Sequence, residues 1–370
     1  MKRVALMVGI LIPMWFGLAA LGAETNVAGE LKFDSGTNGT VGVGVAAEKS
    51  LDAFNHAFYS HHFSKGYFRH STINSRPADF WKFAEEIEMV DDAQEHYPSS
   101  AHEKQIARLI KGFEKTYGTI WTNNPFNDDI VWMCIASLRA YQLTGQEQYR
   151  DMGRTNFDLC FARAWDTNFL GGGLFWKVDN KTKNSCVNGP AAIAACLLWR
   201  IYGDTSYSNK AALMMDWEKS VLSNGRGKIF DNINTNGHIG RFSFTYNEGT
   251  YIGACNLLGR VDDAKAAADF TRERLCTNSP AGRILPPYNH MGDLAGFNGI
   301  FIRWMTHFMV DQHLSGEYLD WLRSNAQAAW AVRRPDNISW GQWLTPTPSN
   351  KTELESWGCS DTVVILQVVP

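Results

Sequence analysis

Two adjacent aspartates, Asp128 and Asp129, stand where an Asn-rich loop, residues 122–127, runs into the apolar segment Ile130, Val131, Trp132. Carboxylates are stabilised at a helix start by the helix dipole, and Asp is a preferred N-cap. A cap accounts for one of the two and leaves its neighbour to solvent. Neighbouring Cα atoms lie about 3.8 Å apart, so diverging side chains can hold two carboxyl groups roughly 5 Å apart, the spacing of a retaining glycosidase. The wider spacing of an inverting enzyme is harder to reach from consecutive residues. The pair therefore reads either as a cap or as a nucleophile beside a general acid.

The elements that must position this pair are helical. Apolar residues recur at helical spacing, and β-branched runs at strand spacing are nearly absent. Twelve helices are predicted, over 50–64, 79–95, 100–117, 128–143, 147–164, 185–202, 206–222, 246–258, 262–275, 297–313, 316–332 and 356–369. Every second one is apolar around most of its circumference, as in Ala191–Leu198 and Val363–Leu366, whereas the others carry a charged face, as in 101–117. Alternating outer and inner helices on short loops imply an all-α (α/α)6 barrel. A solenoid of helix pairs is the competing arrangement, but no repeat of fixed period is visible.

In such a barrel all inner helices start at one end, so their first residues should ring one cleft. The entrances bring Trp81, Glu85, Glu88 and Asp91; Asn127, Asp128, Asp129 and Trp132; Lys183, Asn184 and Asn188; Tyr246, Asn247 and Glu248; Phe297, Asn298 and Arg303; and Glu355 with Trp357. Each polar residue alone fits a satisfied structural cap. Six polar entrances converging fit a site better. Before the sixth helix, Gly171, Gly172 and Gly173 lack the strand, Lys and Ser/Thr of a phosphate loop and read as a structural turn, with Trp176 offering a ring to a sugar face. The chain holds 14 Trp, many of them at segment ends and in loops, where such rings can stack on sugars.

The N-terminus has Lys2 and Arg3, an apolar run over 4–21 and then Gly22 and Ala23, the pattern of a cleaved signal peptide over 1–23. The alternative is an uncleaved anchor. Residues 24–49, rich in Gly, Val and Thr between 27 and 48, are expected to form an exposed leader, and 50–370 a single domain without a linker. The formal charge is −3, and loss of Lys2 and Arg3 makes it more negative. This argues against nucleic acid or an anionic membrane as partner. The expected location is secreted or periplasmic, with no membrane contact after cleavage and a monomeric state. Seven cysteines, Cys134, Cys160, Cys186, Cys196, Cys255, Cys276 and Cys359, show no ligand spacing and read mostly as buried small hydrophobes. His56, His61, His62 and His70 show no metal geometry either, so neither metal nor cofactor is expected.

These motifs, in this order, resemble glycoside hydrolase family 76, the α-1,6-mannanase family. The resemblance is carried by Phe126, Asn127, Asp128 and Asp129 with Trp132; Tyr141 to Gly145; Gly171 to Gly173 with Trp176; Lys183 and Asn184 with Asn188; Thr245 to Gly249; and Phe297 to Phe301 with Arg303. Together they span about 79–345. The resemblance implies an (α/α)6 barrel and retaining hydrolysis of α-1,6-mannosidic bonds, with Asp128 as nucleophile, Asp129 as general acid/base and no metal. Substrate contacts would come from Asn127, Trp132, Trp176, Lys183, Asn184, Asn188, Tyr246, Asn247, Glu248, Phe297 and Arg303. Three positions depart from the family's usual residues: Phe126 replaces Tyr, Glu248 replaces Gln and Asn298 replaces Lys. They bear on the substrate more than on the chemistry.

The leading expectation is an endo-acting α-mannanase whose partner is a polysaccharide or oligosaccharide. The rivals are an enzyme of the same fold that acts on another α-linked glycan or transfers it to an acceptor, and a glycan-binding protein that has lost turnover.

Overall fold

In helix α6 (Ser185–Tyr202), every residue from Ser185 to Leu198 is buried. A helix with no solvent face can exist only inside a shell of others. Five more helices share this character: α2 (Phe80–His96), α4 (Asn127–Thr144), α8 (Thr245–Leu257), α10 (Phe297–Asp311) and α12 (Ser356–Val368). Each packs on the next, and α12 packs back on α2, which closes the ring. Close approach within the ring uses glycine, since a Cβ at Gly249 would lie 2.5 Å from the Phe301 Cα atom. The computed structural model describes residues 31–34, 39–349 and 351–370.

The outer helices are α1 (Val43–Phe58), α3 (Ser100–Tyr117), α5 (Glu147–Ala164), α7 (Thr205–Val221), α9 (Val261–Phe270) and α11 (Ser315–Ala331). Amphipathic patterning places them there. In α3, Ile106, Leu109, Ile110 and Phe113 are buried while Lys104, Lys111 and Lys115 face solvent. The architecture is the (α/α)6 barrel, and most helix ends fall within one or two residues of the sequence expectation.

Three segments differ from it. The first helix starts at Val43 and stops at Phe58, where Tyr59–His62 (β3) and Lys65–Phe68 (β4) form an antiparallel hairpin. Residues 31–34 and 39–49 are not an exposed leader: Lys32–Asp34 (β1) pairs with Thr40–Gly42 (β2), and Leu31, Phe33, Ala46 and Ala47 are buried. The Phe33 ring lies 5.9 Å from that of Trp330. Small residues at 44–47 mimic a loop in composition, yet they suit a helix that packs closely on α12. The ninth helix loosens after Phe270 into a π turn over Thr271–Leu275. Three further strands, Thr182–Asn184 (β5), Asn232–Asn234 (β6) and Ile239–Gly240 (β7), form an antiparallel sheet, and β5 runs directly into α6. A last hairpin pairs Thr277–Ser279 (β8) with Gly282–Ile284 (β9). The expected signal peptide lies outside the described residues.

Among the described residues no helix is long and apolar enough to cross a membrane. All seven cysteines are unpaired, and all except Cys276 are buried.

The interior holds a charge network that corrects two expectations. Arg303 was expected at the cleft but is 1% exposed, bound to Glu85 at 2.7 Å and Asp92 at 2.8 Å. Arg139 joins it, bonding Glu88, Asp92 and Glu95 at 3.0, 2.7 and 2.8 Å. Glu85, Glu88 and Asp91, expected at the cleft as entrance residues of the second inner helix, lie inside the ring instead: Glu85 and Glu88 bind these arginines, and both carboxyl oxygens of Asp91 are buried without a partner. Two cations cannot neutralise all these carboxyls. Burial, reinforced by Glu88, pushes Glu85 up to about 8 against the pull of Arg303. Burial likewise raises Glu86 to about 8 and Asp91 well above the carboxylate range. At Glu95 burial is outweighed by His307 and Arg139, which hold it down at about 2.

Glu85 and Glu86 thus keep their protons in the folded state up to pH about 8, whereas in the unfolded chain they ionise near pH 4.3. Between these limits the unfolded state binds fewer protons, so stability falls as pH rises. The contribution of Glu95 has the opposite sign and is lost only as pH falls below its unfolded value. The urea midpoint is therefore expected to increase as pH is lowered from 8 to the unfolded Glu value near 4.3 and to decline only on acidification below it. A midpoint that rises from pH 5 to 8 would contradict this.

Candidate active site

The first turn of α4 carries the paired aspartates, but neither caps it. The N-cap position is Phe126, and no side chain caps the helix. Asn127 instead fastens this turn to the following loop. Its backbone N–H donates to the Trp176 carbonyl at 2.8 Å and its Nδ2 to the Phe175 carbonyl at 2.8 Å, while its Oδ1 accepts from Arg163 at 2.6 Å. This brings Trp176 over the pair.

The Trp176 indole Nε1 donates to Asp128 Oδ2 at 2.9 Å, and the Cys186 thiol lies 3.5 Å from the same oxygen. Asp128 Oδ1 is buried without a partner. Asp129 Oδ2 accepts from Asn124 Nδ2 at 2.9 Å. Burial, then the neighbouring Asp129 charge, pushes the Asp128 carboxyl up to about 7 against its two donors. Burial pushes Asp129 to about 6, with Asn124 opposing and Asp293 and Asp79 adding to the rise. Between about pH 6 and pH 7 the pair therefore carries one proton and one negative charge, as two carboxyls doing acid and nucleophilic work require.

Aromatic side chains line the mouth around the pair. Tyr246 approaches Cys186 and Asp128, and its hydroxyl is raised by burial and by the negative groups nearby. Its ring stacks on Phe297 at 3.8 Å and 21°. Phe297 lies 6.4 Å from Trp81, and Trp81 meets Trp357 edge-on at 4.9 Å. These contacts join the starts of α8, α10, α2 and α12, and the Cys186 contact joins α6 to α4. All six inner-helix entrances thus share one end.

Several expected contact residues serve packing instead. Trp132 is core, 2% exposed, because an inner helix buries its whole circumference. Lys183 is fully buried, and its Nζ binds the Asp166, Phe169 and Gly172 carbonyls and the Asp166 carboxylate. It fastens the glycine loop, which is a structural turn: a Cβ at Gly173 would meet Trp217 at 2.5 Å. Asn188 accepts from the Leu174 N–H at 2.8 Å and donates to the Asn184 carbonyl at 2.8 Å. Glu248 is buried and accepts the Ile229 N–H at 2.9 Å. Asn298 lies between Thr245 and the Pro286 carbonyl. Two of the three departures from the family pattern, Glu248 and Asn298, are therefore packing positions. At the third, the Phe126 ring packs on Trp176 at 5.2 Å. Asn184 is buried at the start of α6, with its Oδ1 unpartnered.

Asn124, Cys186 and Asp231 were not anticipated. Asp231 precedes β6, accepts from Asn247 Nδ2 at 3.2 Å and is raised by burial. Its carboxyl is close enough to add to the negative surroundings of Cys186 and Tyr246. A polar run over 231–236 just before an inner helix is the signal that would have found it. Cys186 was hidden by its residue type, since an apolar setting makes any cysteine read as a small hydrophobe.

An (α/α)6 barrel with a half-buried carboxyl pair in an aromatic mouth is the arrangement of a glycoside hydrolase. The model of glycosyl hydrolase family 76 matches residues 45–365, and the chain belongs to that family. Among solved structures, the family 76 α-1,6-mannanase of Salegentibacter sp. HEL1_6 is 26% identical with a TM-score of 0.80, covering 88% of this chain and 98% of its own. An inactive variant of that enzyme, with two consecutive aspartates replaced by asparagine, is in complex with α-1,6-mannotriose and matches with the same identity, coverage and TM-score. A family 76 mannosidase of Bacteroides thetaiotaomicron shares the fold at 19% identity and a TM-score of 0.75, covering 88% of this chain and 97% of its own. No curated protein matches the sequence.

Trp176→Phe keeps a ring and removes the N–H donor that lowers the Asp128 carboxyl. The acid limb of the kcat/KM profile is expected to move to higher pH, with a loss of roughly tenfold or more, since a hydrogen bond to a charged group contributes about 1.5–3 kcal/mol. An unmoved limb would separate Trp176 from Asp128 ionisation.

Proposed function

We propose that this protein is a secreted or periplasmic endo-acting α-1,6-mannanase that works with retention of configuration, Asp128 being the nucleophile and Asp129 the general acid/base. The observation that carries this reading is the asymmetry of the pair. Asp128 Oδ2 has two donors, the Trp176 indole N–H and the Cys186 thiol, which favour its anion and fix that carboxylate in place. Asp129 has its amide donor on one oxygen. The similarity to the Salegentibacter mannanase, and the loss of activity when that enzyme's consecutive aspartates are replaced, support the same reading.

In the free protein burial raises both carboxyls and the pair shares its proton, and the reaction needs it on Asp129. Bound sugar supplies the change, because it removes water from Asp129 and brings positive character at the anomeric carbon towards Asp128. Asp129 then protonates the leaving glycosidic oxygen as Asp128 attacks the anomeric carbon, forming a glycosyl ester and breaking the glycosidic bond. Asp129, now ionised, takes a proton from water, whose oxygen attacks the anomeric carbon and releases Asp128. Each carboxyl returns to its starting state.

Incubation with linear α-1,6-mannan and with debranched yeast mannan is expected to release short oligosaccharides. Asp129→Ala should lower kcat by about 10²–10⁴-fold, the contribution of a general acid, and Asp128→Ala should abolish turnover. Tight binding without products from either mannan would make the protein a glycan-binding module. Undiminished turnover in Asp128→Ala would remove that residue from the nucleophile's role.

A further inference from the structure

Just before α8 the chain carries three aromatic residues at alternate positions, Phe242, Phe244 and Tyr246, separated by Ser243 and Thr245. The backbone at Phe244 is extended, with φ −127° and ψ 143°, and in extended chain residues two apart project to one side. The rings form a series. Phe242 and Phe244 are stacked at 6.5 Å and 23°, and Phe244 lies 6.2 Å from Tyr246.

Exposure increases along the series. Tyr246 reaches Cys186 and the Asp128 charge at the centre of the mouth, Phe244 is half-buried and Phe242 is 74% exposed. A core-facing pattern would bury all three. The intervening small residues anchor the backbone: Ser243 Oγ donates to the Ile229 carbonyl at 2.9 Å, Thr245 N–H to the Tyr288 hydroxyl at 3.0 Å, and Thr245 Oγ1 to Asn298 Oδ1 at 2.9 Å. A tethered backbone fixes the rings before any ligand arrives, which lowers the ordering cost of binding. An apolar ring face that starts at the reacting carboxyls and runs out to solvent matches the apolar face of a sugar chain.

We propose that Phe242 and Phe244 form a stacking track for sugar units of the substrate lying beyond those held at Asp128 and Asp129, so that the enzyme reads chain length there. This rests on the mannanase reading above. The track adds binding for long chains and leaves the chemical step alone, so its loss raises KM for long substrates while kcat stays the same.

The test measures kcat and KM of the full chain on linear α-1,6-mannooligosaccharides of increasing length, for wild type, Phe242→Ala and Phe242→Tyr. Phe242→Ala is expected to lower kcat/KM roughly tenfold on the longest chains, through KM, and to leave the shortest cleaved substrate within about twofold; Phe242→Tyr should restore the wild-type pattern. An equal loss at every length, or no loss at any, overturns the track while the wild-type enzyme still cleaves mannan. Wild-type protein that cleaves none of the series overturns the mannanase reading itself and the track's ligand with it.

Discussion

Closure of the inner ring is the constraint on which everything else depends. Because α12 packs back on α2, no inner helix has a free apolar face, and each can be hydrophobic around nearly its whole circumference. The alternation of inner and outer helices then brings all six inner starts to one end. At that end the first turn of α4 holds Asp128 and Asp129 half-buried. Asp128, Cys186, Tyr246, Phe297, Trp357 and Trp81 come from six different helices yet form one connected mouth.

Burial acts on the carboxyls at two depths. Deep in the ring, Glu85, Glu88 and Asp92 bind Arg139 and Arg303, with the partly exposed Glu95 at the network's edge, and the surplus acid is held as neutral carboxyl. Such a network rarely adds net stability over an apolar core. At the mouth the same desolvation acts on Asp128 and Asp129, which are half-buried. One physical effect thus raises carboxyls both deep in the ring and at its mouth.

The barrel was legible because helical periodicity and the alternation of fully apolar with amphipathic helices are strong, additive signals. The start of α1 was not, because Gly44, Ala46 and Ala47 carry no periodic apolar signal and pack through their smallness. Asp128 and Asp129 were legible as a pair. Their neighbours were harder to read: polar residues at helix entrances have two destinations that sequence does not separate, the open mouth and the hydrogen-bonding seams behind it. Lys183, Asn188 and Glu248 went to the seams, and Arg303 went deeper still. Asp231 and Asn124, which do reach the mouth, come from loops without periodicity.

In the proposed mechanism the two consecutive carboxyls at the α4 entrance act as nucleophile and acid/base. Proton NMR of the earliest products from an α-1,6-mannooligosaccharide, recorded before mutarotation, reads this directly. Attack by Asp128 followed by water gives two inversions, so the first-formed reducing sugar should be the α anomer. A β anomer as first product would mean that water attacks in a single displacement, and would contradict the account.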